Sequence, residues 1–472
     1  MNLLIVFVIL AVLMISDLGG SQPVNDVWFR SFAILATLAV VPGFAIFQTA
    51  LATHMLRSKE VVEDKIQRML TRLTICHSGV WLVSSLCIVY LFQWQKIVRG
   101  NWQLDRFPLL DEVMIIAPIV LSLICSWFVF FDIQNVFLRD REHITVRQRW
   151  AFVSLRVRVY LLVGLVPILM VFAIRDVWGS YLGDIVASSV SSTLTVTIIG
   201  LVCLLVFFPF MMLLVWKTSP LNQSELEVRL QKFCRDCRMN VAQVRKWNTG
   251  GSIINAVVAG VLPYFRVILV SDGLISKFNE NQIQAILRHE AGHIRRWHLA
   301  SRIVFILLPI VMIGLCYLLA GSMLSSLESL AVAFSIPKTM VMPAAVGAYG
   351  SYLLAVLVWL SWQMEYDADL FAVTLRNTTD GAQNDLVTLC PQAADETMDA
   401  LYRFAELMPT QVDRKTFWHP TLRKRLIRLQ QLKRDPKLAQ LNSDLFVHKQ
   451  FLLFASVVVT FTSLQIALSF FG

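Results

Sequence analysis

The sequence predicts a mainly α-helical, polytopic membrane protein of about nine spans that carries a small α+β domain on one side of the membrane. Three observations predict it. The 472 residues are 56% hydrophobic with a mean hydropathy of +0.63, and only 16% are charged, a balance outside the range of soluble globular chains. The apolar residues gather into long runs separated by basic loops. One internal window, residues 217–297, instead mixes charge with short helical and alternating patterns. The formal charge of +10 sits mostly in loops on one side of the membrane, so it speaks for orientation and against a nucleic-acid partner.

The first run, residues 3–15, has no basic residue before it and reads as an uncleaved anchor. Further runs lie at about 31–51, 73–94, 113–131, 159–174 and 194–216. The fifth run is short for a span of roughly 20 residues, and Arg158 and Arg175 are expected to reach from its ends to the interfaces. Pro42, Pro167 and Pro209 fall inside runs, where neighbouring helices can satisfy the carbonyls they free. His77, near the end of a run, reads as interfacial. Cys76, Cys87, Cys125, Cys203 and Cys316 lie in runs as small hydrophobes. Cys234 and Cys237 form a lone C-x-x-C with no second pair and read as an ordinary helix face.

From Lys217 the charge returns. Ser224 with Glu227 makes a capping box before an amphipathic helix. Residues 241–247, 252–261 and 266–270 read as strands, the first two joined through Asn248-Thr249-Gly250-Gly251. Asn279 then caps a second amphipathic helix. Two more apolar runs, 303–324 and 340–362, precede a polar segment that is helical at its opening and at 421–432. A last run, 451–471, follows. The boundaries are therefore 1–216 for an N-terminal membrane region of about six spans, 217–302 for the first polar part, 303–362 for two spans, 363–448 for the second polar part and 449–472 for the final span. The loop after the second span holds five basic residues from Arg57 to Arg72, and the loop after the fourth holds six from Arg139 to Arg158, against six spread over the four loops opposite. The basic loops are expected to face the cytosol, and both polar parts then fall on that same side.

The chemistry centres on His289-Glu290-Ala291-Gly292-His293. Histidines four apart lie on one helix face and can hold one Zn²⁺ through two imidazole nitrogens, with Glu290 placed to take a proton from water at the metal. A hydrolytic zinc site has three protein ligands and an open fourth position. Glu365, in Glu365-Tyr366-Asp367-Ala368-Asp369, is the candidate third ligand, and Asp369 one turn on can accept the outer N–H of a ligating imidazole. His298 competes but stands about half a turn round the helix from His289. A third His six residues after His293, with Gly three after it, is excluded because those positions are Leu299 and Arg296.

These motifs resemble the M48 family of integral-membrane zinc metalloproteases, which includes the CAAX prenyl endopeptidases and the HtpX quality-control proteases. Asn255-Ala256-Val257-Val258-Ala259-Gly260 resembles the family's substrate-binding strand, Arg266 to Leu274 the strand and turn after it, and Trp418-His419-Pro420 to Leu426 its late His-Pro segment with Arg425. The resemblance runs from about Pro220 to Leu429 through five motifs in order. It implies a zincin-like (gluzincin) catalytic domain with one Zn²⁺ per chain on His289, His293 and Glu365, and Asp369 behind them. Glu290 would be the general base, His419 and Arg425 candidate oxyanion donors, and Asn255, Ala256 and Gly260 substrate-binding residues. The implied partners are the lipid bilayer and a polypeptide substrate, membrane-associated and cut by an endopeptidase. Broad quality-control proteolysis is favoured over prenyl processing, because nine spans depart from the seven of the prenyl endopeptidases, and a bacterial inner membrane over the endoplasmic reticulum. The reading of another class is a non-proteolytic membrane scaffold or transporter-like module that retains zinc for structure. Oligomeric state is open.

Overall fold

The structure is a computed structural model that describes residues 2–18, 20–57, 63–137, 145–181, 190–221, 225–237, 239–308, 338–376, 387–409, 412–413, 416, 419–435, 437–438 and 449–459. Ser224 of the expected capping box, Trp418, Cys316, most of the run at 303–324 and the end of the last run lie outside these residues. The chain divides into two units, Met1–Lys217 and Thr218–Gly472.

The first unit is helical. Among the described residues four helices are long and apolar enough to cross a membrane: Val27–Met55, Met69–Leu91, Leu110–Ile133 and Val146–Val177. The count of nine is an expectation that reaches beyond the described residues. The fourth helix differs from its apolar run at 159–174. It starts at a capping box, Thr145 with Gln148, passes through a π-helical turn at Val157–Leu162 and continues to Tyr181. Its Arg175 does not simply snorkel but pairs with Glu112 at 2.7 Å and with Asp176 at 3.0 Å. Arg99 pairs with Asp111 at 2.6 Å and donates to the Ser16 carbonyl, so charge staples four segments of the unit together. His77 is buried rather than interfacial, at 3% exposure, with the Phe44 ring at 6.5 Å and the Phe130 ring at 4.7 Å.

The second unit is built on a four-stranded sheet of order β1-β2-β4-β3, from β1 (Thr218–Pro220), β2 (Gln243–Trp247), β3 (Ala256–Ala259) and β4 (Val267–Ser271). β2 and β4 run parallel, while β1/β2 and β3/β4 run antiparallel. All five residues of β4 are buried, as a continuous apolar run at a sheet centre requires. β3 is an edge strand. It is shorter than the expected 252–261 for a local reason at each end. Before it, the Asp272 carboxylate accepts from the backbone of Thr249 and Gly250 and from the Thr249 hydroxyl, holding Gly250 and Gly251 at φ +68° and +74° as a turn. After it, Gly260 stands at φ +108° and leaves the ladder. β1 was not expected, since three residues reading Thr-Ser-Pro carry no alternation to detect.

The histidine helix, Glu280–Arg295, begins at Asn279, whose side chain accepts from the Gln282 backbone while Gln282 returns the bond. The carboxylate helix, Lys338–Val373, runs unbroken from the predicted eighth span through Glu365 and Asp369. The two cross at Gly292. A Cβ there would lie 2.9 Å from Ala368 Cα and 3.1 Å from Phe371 Cβ, so only glycine permits this approach. A cover helix, Pro391–Leu407, lies against the histidine helix, with Gln282 donating to Asp399 and Arg288 paired with Glu396. This helix was not expected, although its buried residues Ala393, Ala394, Thr397, Met398, Ala400 and Leu401 fall at helical spacing. The arginine helix, Leu422–Arg434, capped by Thr421, completes this core through Leu426, Leu429 and Leu432.

Candidate metal centre

Packing at Gly292 brings the two motif helices face to face and sets three ligand atoms in a triangle. His289 Nε2 and His293 Nε2 are 3.2 Å apart, His289 Nε2 lies 3.4 Å from Glu365 Oε2, and His293 Nε2 lies 3.4 Å from Glu365 Oε1, with one ligand atom from each residue within 4.8 Å of the others. With bonds of about 2.0–2.2 Å, the ligand atoms of a tetrahedral zinc centre stand about 3.3–3.5 Å apart, and the two imidazoles and the carboxylate face one another at about this spacing. The donors suit it too: two imidazoles and one carboxylate. Glu365 is 2% exposed, and nitrogens of His289, His419 and Arg425 surround its Oε2, so the buried carboxylate stands among cationic or cation-holding groups.

Charge around the triangle points the same way. Burial would raise the Glu365 carboxyl, but the charge of His419 and contacts with His289 and His293 outweigh it and hold the group well below the usual carboxylate range. Burial and the Arg425 charge oppose protonation of His289, yet Asp369 and Glu365 overcome both and raise it to about 9. The carboxylates thus ask for positive charge at the imidazoles, which a dication supplies.

Behind the triangle, Asp369 Oδ1 is 3.0 Å from His289 Nδ1. Arg425 clamps the same carboxylate from the other side, Nη2 to Oδ1 at 2.5 Å and Nε to Oδ2 at 2.8 Å. Burial would raise Asp369, and the guanidinium and His289 instead hold it at about 2. Arg425 Nη1 is 3.7 Å from Glu365 Oε2. His419 sits on the loop before the arginine helix, side chain 55% exposed, with Nδ1 2.9 Å from Glu365 Oε2.

His298 occupies a place the helix count did not foresee. The histidine helix ends at Arg295, Trp297 takes φ +57°, and a new helix, His298–Leu308, starts directly after it. This puts His298 Nδ1 2.8 Å from His293 Nδ1, with His298 Nε2 3.2 Å from Asp367 Oδ2. Asp367 was missed because its partner is on another helix; position i+2 from Glu365 faces away from the ligand stripe.

Two cavities meet at the triangle and share Asn255, Glu290, Glu365 and His419. One, of ≈ 240 Å³, runs along Ala256, Val257, Val258, Gly260 and Val261 of the β3 edge to Trp297 and Arg302. The other, of ≈ 200 Å³, lies beyond Asn255 and is walled by Ile286, Ala400, Leu401, Phe404, Met408 and Leu422, with Arg425 at its base. The site thus gathers Asn255, Ala256, Gly260, His289, Glu290, His293, Glu365, His419 and Arg425 on one cleft, with Asp369 behind it. Arg302 and the cover-helix wall are not among the expected site residues; for the wall, the helically spaced apolar stripe from Ala393 to Leu401 is a signal that could have found it.

Residues 220–433 match the profile of peptidase family M48. This stretch of the chain is similar to that family. Outside it, the first unit holds four helices that are long and apolar enough to cross a membrane. The crystal structure of S. mikatae Ste24p is similar at a TM-score of 0.44 and 13% identity, covering 86% of this chain and 100% of that one. Comparison with curated protein sequences gives no match.

Proposed function

We propose that the protein is a zinc-dependent endopeptidase that cuts membrane-associated polypeptides at the cytosolic face, the side favoured by loop charge. The ligand cluster opening onto a cleft beside the β3 edge, which has no pairing strand among the described residues, carries the reading. A structural zinc site is closed by four protein ligands, whereas here three ligand atoms face a cavity that Glu290 lines. Bound there, Zn²⁺ would polarise the scissile carbonyl and lower the pKa of a water toward neutrality. Glu290 takes the proton of the attacking water and delivers it to the leaving amine. His419, exposed and on both cavities, donates to the developing oxyanion. Arg425 has two nitrogens committed to Asp369, so in this reading it acts by fixing that carboxylate.

An extended substrate adds to the outer edge of β3. Antiparallel pairing, the more stable ladder, sets its N-terminal side along the 256–261 cavity and its C-terminal side past Asn255. The ≈ 200 Å³ pocket then receives the side chain just after the cut bond. An apolar cavity of roughly 150 Å³ accommodates a benzene ring, so a large apolar residue fits. Two side-chain-sized cavities favour broad cleavage of membrane-protein segments, in an inner-membrane setting, over obligate prenyl recognition. Cleavage of one peptide with and without a prenyl group separates the two, and strict dependence on the lipid would sink the broad reading. Glu290→Gln is expected to keep zinc and lower cleavage by at least about 10²-fold; cleavage at the wild-type rate would overturn the mechanism. Chelation should abolish activity and added zinc restore it.

A further inference from the structure

We infer that His298 and Asp367 form an outer relay that fixes the tautomer and orientation of His293, making His298 a positioning residue for the metal. The inference rests on the zinc reading above. Its basis is an unbroken line of three groups: His293 Nδ1 to His298 Nδ1 at 2.8 Å, then His298 Nε2 to Asp367 Oδ2 at 3.2 Å. His298 and Asp367 are buried, each side chain 1% exposed, so water cannot substitute for either partner.

Only one arrangement of protons satisfies the line when His293 offers Nε2 to a metal. His293 then carries its proton on Nδ1 and donates it. His298 must accept through a bare Nδ1, which places its own proton on Nε2, directed at the Asp367 carboxylate. Asp367 thus sets the tautomer of His298, and His298 sets that of His293. His289 is treated differently: its Nδ1 faces the Asp369 carboxylate directly at 3.0 Å. The two imidazoles are therefore backed unequally, one by an anion and one by a neutral ring that passes on an anion's pull at one remove. Both carboxylates come from the helix that supplies Glu365, so one helix supplies the third ligand and orients the other two.

Partners of this kind are worth about 10–100-fold in metal affinity. The test is zinc affinity of the full-length protein in detergent, measured by chelator competition, with a thermal melt of each variant. His298→Ala is expected to weaken zinc binding about 10–100-fold. His298→Gln, whose carbonyl can accept from His293 and whose amide can donate to Asp367, should recover most of the loss. Asp367→Leu should weaken zinc binding in the same direction as His298→Ala. Asn279→Ala, which loosens the far end of the histidine helix, should lower the melting temperature without changing zinc affinity. Wild-type affinity in His298→Ala would overturn the relay alone, as would His298→Gln binding no better than His298→Ala. A wild-type protein that binds no zinc would instead overturn the metal reading beneath it.

Discussion

Arg425 offers the sharpest test of how the site is held. Its guanidinium side chain is 12% exposed and grips Asp369, itself 3% exposed, through two short contacts. Replacing it in Arg425→Met keeps much of the aliphatic bulk but strands a buried carboxylate with His289 as its remaining polar neighbour. Breaking a buried pair from one side costs about 3–5 kcal/mol. At about 2–4 °C per kcal/mol for a unit of this size, the melting temperature should fall by on the order of 10 °C. Part of that loss is visible in the ionisation of Asp369, held at about 2 against an ordinary 3.8. A depressed carboxyl stabilises the fold above its unfolded pKa, and that contribution is lost as pH falls through the folded one. It amounts to about 2 kcal/mol here. The gap between wild type and Arg425→Met should therefore be narrow near pH 2 and widen as pH rises through and beyond about 4, because burial raises the stranded carboxyl of the variant once Arg425 is gone. Asp369→Asn placed in the Arg425→Met background removes the stranded charge and should restore part of the stability. The assay pairs thermal melting over this pH range with peptide hydrolysis at neutral pH. A variant that melts like wild type but has lost kcat, with no restoration by Asp369→Asn, would show that Arg425 acts on substrate and refute the positioning argument.

Gly292→Ala puts a Cβ 2.9 Å from Ala368 Cα; overpacking of about 1–3 kcal/mol should part the motif helices, and zinc content after dialysis should drop. Retained zinc and full activity would mean that the contact can relax. Asn279→Ala removes one half of a capping box and should cost about 1 kcal/mol, read as a fall of a few degrees in melting temperature with hydrolysis unchanged. Ile286→Phe should fill the pocket beyond Asn255, reversing a preference for Leu over Ala just after the cut bond by about tenfold or more. Mapped cleavage sites whose preference moves on the other side of the bond would reverse the assigned direction of the substrate.

Much of the candidate ligand set was legible because helical periodicity encodes it. His289 and His293 stand one turn apart, as do Glu365 and Asp369, and a spacing of four puts each pair on one face whatever surrounds it. The Asn279 cap and the three longer strands were legible for the same local reason. The sequence likewise determined the membrane character, since the solvent preference of a long apolar run does not depend on its neighbours.

What only the tertiary structure decided are the relations between segments far apart in the chain. That the histidine pair meets Glu365 at 3.4 Å follows from Gly292 against Ala368, a close approach that neither motif reveals alone. The break at Trp297 turns His298 from a residue on the far side of a helix into a partner of His293. The cover helix walls the pocket with Ala400, Leu401 and Phe404, and an amphipathic pattern alone does not say which cavity its apolar face closes. Arg425, read as a donor to substrate, is found gripping Asp369, because only the folded chain shows which anion lies nearest a guanidinium. Local periodicity is a property of a few consecutive residues; which faces meet, and at what distance, depends on packing among segments that the sequence leaves 56 to 136 residues apart.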